Sequence, residues 1–175
     1  MKFAICAGHG GRDPGVVIDG IKESDVAVEL RDMVATELRA LGHTVVTDRS
    51  PLIRNLELAK SMMLIPGTDC AIEIHCNGSN NPTATGVEVL ALPKHKARAQ
   101  ALAGAVAAVL SLPLRGDKGF QPQTVSPHGS LGFVRVGGMI LETFFLSNPK
   151  DYQQYWRNQV YVAEAIANTL ADFKG

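Results

Sequence analysis

Residues 1–15 read Met1-Lys2-Phe3-Ala4-Ile5-Cys6-Ala7-Gly8-His9-Gly10-Gly11-Arg12-Asp13-Pro14-Gly15, an apolar start that runs straight into a polar, glycine-rich turn. A short apolar run bounded by glycine predicts a buried strand over Met1–Cys6. His9 then falls where that strand ends and its loop begins. In open α/β sheets ligands bind beyond the carboxyl ends of strands, so an imidazole there is placed to hold a metal or act on a substrate. The glycines let the backbone turn sharply and keep bulky side chains away from the ring.

Working outward, Val26, Leu30, Met33, Val34, Leu38 and Leu41 recur at three- and four-residue steps, which predicts a helix over Glu23–Leu41 stopped by Gly42. The β-branched His43–Asp48 reads as a strand. Ser50-Pro51 is an N-cap and first turn for a second helix that runs to about Ile65 and closes at Pro66-Gly67. Asp69–Cys76 is an apolar strand, 77–85 a polar loop, and Gly86–Leu92 a further strand. Pro93–Leu112 is an alanine-rich helix. Residues 114–130 are irregular and form a candidate substrate-binding loop. Leu131–Val136 and Met139–Glu142 read as short strands. Asn148–Phe173 is mostly helical, with Tyr152, Tyr155, Trp156, Val160, Ile166 and Leu170 on its apolar positions. Strands alternating with helices predict an α/β sheet with helices on its faces, in one domain over residues 1–175.

Bulk composition excludes several function classes. The 175 residues are enough to bury a core without staples. Seventeen basic and seventeen acidic residues give zero formal net charge, so the chain lacks the basic footprint of a nucleic-acid binder. No apolar stretch approaches the roughly 18 residues of a membrane span. Cys6, Cys70 and Cys76 all lie in apolar, strand-like segments, which predicts buried, reduced thiols. A Cys6–Cys76 bridge or a sulfur ligand is the alternative, and zinc spacings such as CxxC are absent.

Three ionisable side chains fall at predicted strand ends: His9, His75 in Ala71-Ile72-Glu73-Ile74-His75-Cys76-Asn77, and Glu142 at the close of Met139-Ile140-Leu141-Glu142. Parallel strands would bring all three to one sheet edge, and Glu23 opens the helix after the glycine loop, within reach of it. Two histidines and a carboxylate are a common ligand set of catalytic zinc, with a further carboxylate needed to shuttle protons. His9, Glu23 and His75 fit the ligands and Glu142 the shuttle. The reverse split, with Glu142 as ligand and Glu23 as base, is also chemically sound. Each residue has a plainer explanation too. His9 can be a loop hydrogen-bonder, His75 a satisfied core histidine, and Glu23 an acid favoured at a helix N-terminus. Glu142 resists that treatment, because a carboxylate ending a buried strand costs several kcal/mol without a partner. Glu73 shares a face with His75, either behind it or at a surface edge. His43 and His95 read as surface residues, and His128 as a possible substrate contact in the irregular segment.

The ordered set AGHGGRDPG at 7–15, Glu23, GHTVVTDR at 42–49, IHCN at 74–77, GVEV at 86–89 and LETFFLSN at 141–148 resembles the zinc-dependent N-acetylmuramoyl-L-alanine amidases of bacterial autolysins and phage endolysins. The resemblance spans nearly the whole chain. It implies one catalytic Zn2+ held by His9, Glu23 and His75, and Glu142 as the catalytic glutamate. It implies hydrolysis of the amide between N-acetylmuramic acid and L-alanine, with the peptidoglycan stem peptide and that sugar as partners. It also implies a mostly parallel, mixed sheet of about six strands, with the zinc site at the C-terminal edge of the strands. Two positions depart from the family pattern: Thr143 stands where a glycine is common, and Glu73 where serine often precedes the Ile-His pair. No signal peptide and no separate wall-binding domain are visible, so the expected role is a phage endolysin, cytoplasmic until released to the wall. The competing readings are a zinc carboxypeptidase that holds a substrate carboxylate through Arg12, Arg115 or Arg135, and a non-catalytic wall-binding module. A phosphate cradle is disfavoured, since neither a P-loop nor GxGxxG spacing is present.

Overall fold

The computed structural model describes residues 1–49, 56–123 and 131–173. The predicted first strand is β1 (Lys2–Ala7), five of whose six residues are buried. A two-stranded hairpin follows, β2 (Val17–Ile18) and β3 (Ile21–Lys22), turned by Asp19-Gly20 with both residues at positive φ. Then come α1 (Glu23–Ala40), β4 (Thr44–Thr47), α2 (Leu58–Met62) and β5 (Cys70–Asn77). The chain continues through β6 (Glu88–Ala91), a 3-10 turn at Pro93–His95, α3 (Lys96–Leu110), β7 (Phe120–Pro122), α4 (Gly132–Arg135), β8 (Met139–Phe145) and α5 (Pro149–Asp172).

Six strands form one sheet in the order β4-β1-β5-β8-β6-β7. β4, β1, β5 and β8 pair in parallel, β6 runs antiparallel to β8, and β7 is parallel to β6. The predicted mixed, mostly parallel sheet is therefore present. Parallel crossovers bring the C-terminal ends of β1, β5 and β8 to one edge, beside the start of α1.

Strand alternation divides the side chains between two unequal layers. Phe3, Ile5, Ile72, Ile74, Val89 and Leu141 face the larger core, closed by Leu30, Val34, Leu102, Val106, Ile166 and Leu170 of α1, α3 and α5. Ala4, Cys6, Ala71, Leu90 and Ile140 face the other side, where Ile65, Phe133 and Val134 supply a small cluster. His75, Glu142 and Glu88 have the parity of this second face. All three cysteines are buried and free, so the reduced reading holds and no bridge joins Cys6 to Cys76.

Several boundaries differ from expectation. Leu131–Val136 holds a helical turn rather than a strand: Phe133 and Val134 are adjacent and pack into the same small cluster, which one helix face allows and strand alternation does not. The second helix is only Leu58–Met62, because Glu57 is extended at ψ 151°. Its proposed cap at Ser50-Pro51 lies outside the described residues. β7 lies inside the segment read as irregular; at three residues with a proline it is legible only as an edge strand. Trp156 and Val160 are more than half exposed, and the stripe α5 turns inward is Tyr155, Val162, Ile166 and Leu170. His43 and His95 are half-buried rather than surface residues. His128 lies outside the described residues.

Candidate metal centre

Gly8 extends the first strand by donating its N–H to the Ile74 carbonyl at 2.7 Å. His9 follows at φ +61°, in the left-handed region that costs a non-glycine residue about 1–2 kcal/mol. That turn swings its ring over β5, where it meets His75 edge-on with ring centroids 4.9 Å apart. The loop closes onto the start of α1: Glu23 donates its N–H to the Val16 carbonyl at 2.9 Å, and Ser24 to Pro14 at 3.1 Å. The Glu23 side chain is thereby delivered, buried, between the two imidazoles.

Glu23 is fixed at both oxygens. Oε1 accepts from the Cys76 N–H at 3.0 Å and lies 3.0 Å from His75 Nδ1. Oε2 accepts from the Val16 N–H at 3.0 Å and lies 3.0 Å from His9 Nε2. Burial by itself would push this carboxyl up, but the bonds to His75 and His9 outweigh it and hold Glu23 well below the usual carboxylate range. The histidines shift the opposite way. Burial would lower both, yet Glu23 raises His9 with help from Asp13, and raises His75 with help from Glu73.

Both rings are also held from behind. Asp13 Oδ2 lies 2.9 Å from His9 Nδ1, and Glu73 Oε2 lies 3.2 Å from His75 Nε2. Glu73 is buried, so of its two predicted positions it takes the one behind His75. Two glycines leave the space this needs. A Cβ on Gly8 would overlap the His75 ring, and one on Gly15, at φ +65°, would stand 2.5 Å from both Glu23 Oε2 and His9 Cδ2.

Among the described residues, His9, Glu23 and His75 form the group able to share a metal ion, their ligand atoms lying within 4.8 Å of one another. Two imidazoles and one carboxylate, each second nitrogen backed by a carboxylate, suit a borderline-soft divalent cation such as zinc. The donor set fits the metal that the sequence resemblance implies.

Glu142 pairs in register with His75 across β5 and β8. Its Oε2 is buried, and among the described residues it has no hydrogen-bond partner. Burial pushes its pKa up to about 7; His75 and His9 pull against that shift, and the charges of Glu23 and Glu88 add to it. Beyond this pair the β5–β8 register slips, leaving the ladder irregular. Thr143 fills the irregularity: fully buried, it donates its hydroxyl to the His75 carbonyl at 2.8 Å. The residue that departs from the family pattern thus steadies the strand carrying His75.

All four predicted residues line one cavity of ≈720 Å³ on that second sheet face. Of the three arginines considered for carboxylate binding, Arg115 lines that cavity. Sequence reasoning missed one supporting pair. Arg31 and Asp48, both fully buried, join at 2.7 Å, and Asp48 accepts the Ala7 N–H at 3.2 Å just before the Gly8-His9 turn. Asp48 stands in the GHTVVTDR stretch, but nothing in the sequence marks Arg31 as its partner.

Comparison with known proteins gives the family and the fold. A family model described as N-acetylmuramoyl-L-alanine amidase matches residues 3–172. A solved Neisseria meningitidis structure, provisionally assigned as an N-acetylmuramoyl-L-alanine amidase, is 38% identical, with TM-score 0.89 over 97% of this chain and 93% of that one. The catalytic domain of the amidase CwlV from Bacillus (Paenibacillus) polymyxa var. colistinus shares the fold at 24% identity and TM-score 0.82, over 98% and 97% of the two chains. An N-acetylmuramoyl-L-alanine amidase from Clostridium difficile 630 does so at 23% and 0.83, over 99% and 98%. A comparison with curated proteins gives no match. Matched from its first strand to its last helix, the chain belongs to the N-acetylmuramoyl-L-alanine amidase family, enzymes that act on the amide bonds of peptidoglycan.

Proposed function

We propose that this chain uses one zinc ion to hydrolyse the amide between the lactyl group of N-acetylmuramic acid and L-alanine. In this reading His9, Glu23 and His75 hold the metal and Glu142 moves the proton. The observation that carries it is the convergence of the triad and an unpartnered, buried carboxylate oxygen in one cavity. Bound zinc supplies Lewis acidity, acidifying a water and polarising the amide carbonyl.

The chain's own residues do the rest. Glu23 is anchored by two backbone N–H groups, so its oxygens stay between the imidazoles without reorganisation. Asp13 and Glu73 fix which nitrogen of each ring faces the cavity. Glu142, buried and with one oxygen unpartnered among the described residues, is placed to take a proton from water and give one to the departing amine. The other assignment, Glu142 as ligand with Glu23 as base, fits less well. Glu23 has both oxygens engaged and its carboxyl held low, which suits a ligand rather than a proton carrier.

The finer role we propose is that of an endolysin, one of the two groups the sequence resembles, held in the host cytoplasm until it is released to the wall. Cytoplasmic expression with and without a membrane-permeabilising protein tests it: lysis only with the permeabiliser supports it, and lysis without one refutes it. Mass spectrometry of muropeptides from defined peptidoglycan, with and without chelator, tests the reaction. The expected products are stem peptides with new L-alanine amino termini and no new sugar reducing ends, lost on chelation. Release of C-terminal amino acids alone would favour a carboxypeptidase and overturn the proposal.

A further inference from the structure

The cavity continues past Glu142 to Glu88 and Arg115. Glu88 stands opposite Glu142 in the antiparallel pairing of β6 with β8. Its carboxylate is already met twice, by Asn77 Nδ2 at 2.6 Å and Gln121 Nε2 at 3.1 Å. Arg115 is held around it. Its Nε lies 3.2 Å from Glu88 Oε1, its Nη1 is 3.4 Å from the Thr85 carbonyl, and its guanidinium carbon is 4.9 Å from the Phe145 ring centre. Gly86 gives the stem room, since a Cβ there would come within 2.8 Å of Arg115 Cγ. The side chain nonetheless stays 39% exposed at the cavity wall.

Nε is buried beside Glu88 without a hydrogen bond among the described residues, so the stem, the ring face and Nη1 are what hold this arginine, and the remainder of its fork is presented with little entropy left to lose. That is the geometry for recognising a carboxylate. Among the described residues lining this cavity, Arg115 is the only lysine or arginine, whereas Asp13, Glu23, Glu88 and Glu142 are acidic. Without Arg115 this end of the cavity would repel an anionic ligand.

Position sets which carboxylate it reaches. The strands of His75, Glu142 and Glu88 are consecutive neighbours in the sheet. Two strand spacings amount to about 10 Å. An extended peptide covers that span in about three residues. We propose that Arg115 forms a subsite for a free carboxylate on the second or third residue of the stem peptide, counted from the scissile amide. The subsite rests on the amidase reading above.

The test compares synthetic muropeptides that differ only in carrying a carboxylate or a carboxamide, at the second residue in one pair and the third in another. Wild type is expected to favour the carboxylate in one pair by about tenfold or more in kcat/KM, mainly through KM, as loss of a charged hydrogen bond requires. In R115Q that ratio should collapse to near one, and R115K should fall between. A purely structural role would slow both members of a pair alike and preserve the ratio. Equal turnover by wild type within both pairs, or an unchanged ratio in R115Q, would overturn the subsite. Cleavage of none of the substrates would overturn the amidase reading and the subsite with it.

Discussion

The buried pair of Arg31 and Asp48 offers the sharpest test of how the fold holds the site. Replacing Asp48 with alanine leaves a guanidinium with no solvent exposure, retaining Asp32, itself 38% exposed, at 2.9 Å. It also strips the Ala7 N–H, at the end of β1, of its acceptor. Removing one partner of a buried ion pair costs up to about 3–5 kcal/mol, because the desolvation of the other is then less fully offset. For a domain of this size each kcal/mol moves Tm by about 2–4 °C, so D48A should melt up to roughly 6–20 °C below wild type. The loss should be nearly the same at low and high salt, since a dry pair is poorly screened. The double variant R31M/D48N removes both charges yet keeps an oxygen for Ala7, and should recover most of the loss. Differential scanning calorimetry of the three proteins decides the matter. A D48A midpoint within a degree or two of wild type, or a double variant no better than D48A, would refute the reasoning.

Other substitutions probe the centre directly. In Glu142→Gln, lysis of purified peptidoglycan should fall by about 10²–10⁴-fold with zinc content retained; unchanged lysis removes Glu142 from the mechanism. The same variant has a signature in stability. Since the folded pKa is raised from 4.5 to about 7, wild type loses stability as pH climbs through that window. The metal-free E142Q protein should therefore be the more stable at pH 8, by up to about 3 kcal/mol, with the gap closing near pH 4.5; thermal melts in chelator that show a gap independent of pH contradict this. Glu73→Gln should weaken zinc binding about 10–100-fold by dye competition, because the charge behind His75 is gone; an unchanged affinity would make Glu73 a bystander. Gly15→Ala should abolish metal binding while far-UV circular dichroism stays native, as its Cβ enters the space of Glu23 and His9. Full zinc affinity in G15A would show that the loop can yield.

Much of this was legible from residue order because the local signals agreed. The β1 run, the periodicity of α1 and the apolar β5 each specify one element and also aim a chemical side chain at one edge. Glu142 stood out because a carboxylate ending a buried strand has no bland explanation, and its buried Oε2 has no partner among the described residues. What escaped depended on contacts distant in sequence or on very short elements. Arg31 and Asp48 are 17 residues apart, on a helix and just past a strand, and only the packed structure joins them. The turn Asp19-Gly20 is a strong hairpin signal, but two residues on either side show no alternation. Helix α4 was misread because four to six apolar residues look alike in either state until their burial is known.

The unequal covering of the sheet bears on what kind of substrate the protein can serve. Three long helices seal one face, while among the described residues α2 and α4 pack against the other. A cross-linked wall polymer cannot thread into a closed chamber. A cavity that lies along the sheet face, its side chains offered by successive strands, lets such a polymer be laid across it. The side chains at stake sit in a row over β5, β8 and β6, as contacts along a track rather than walls of a pit. Turnover on such a track should be governed by how the enzyme finds and leaves the polymer as much as by bond breaking.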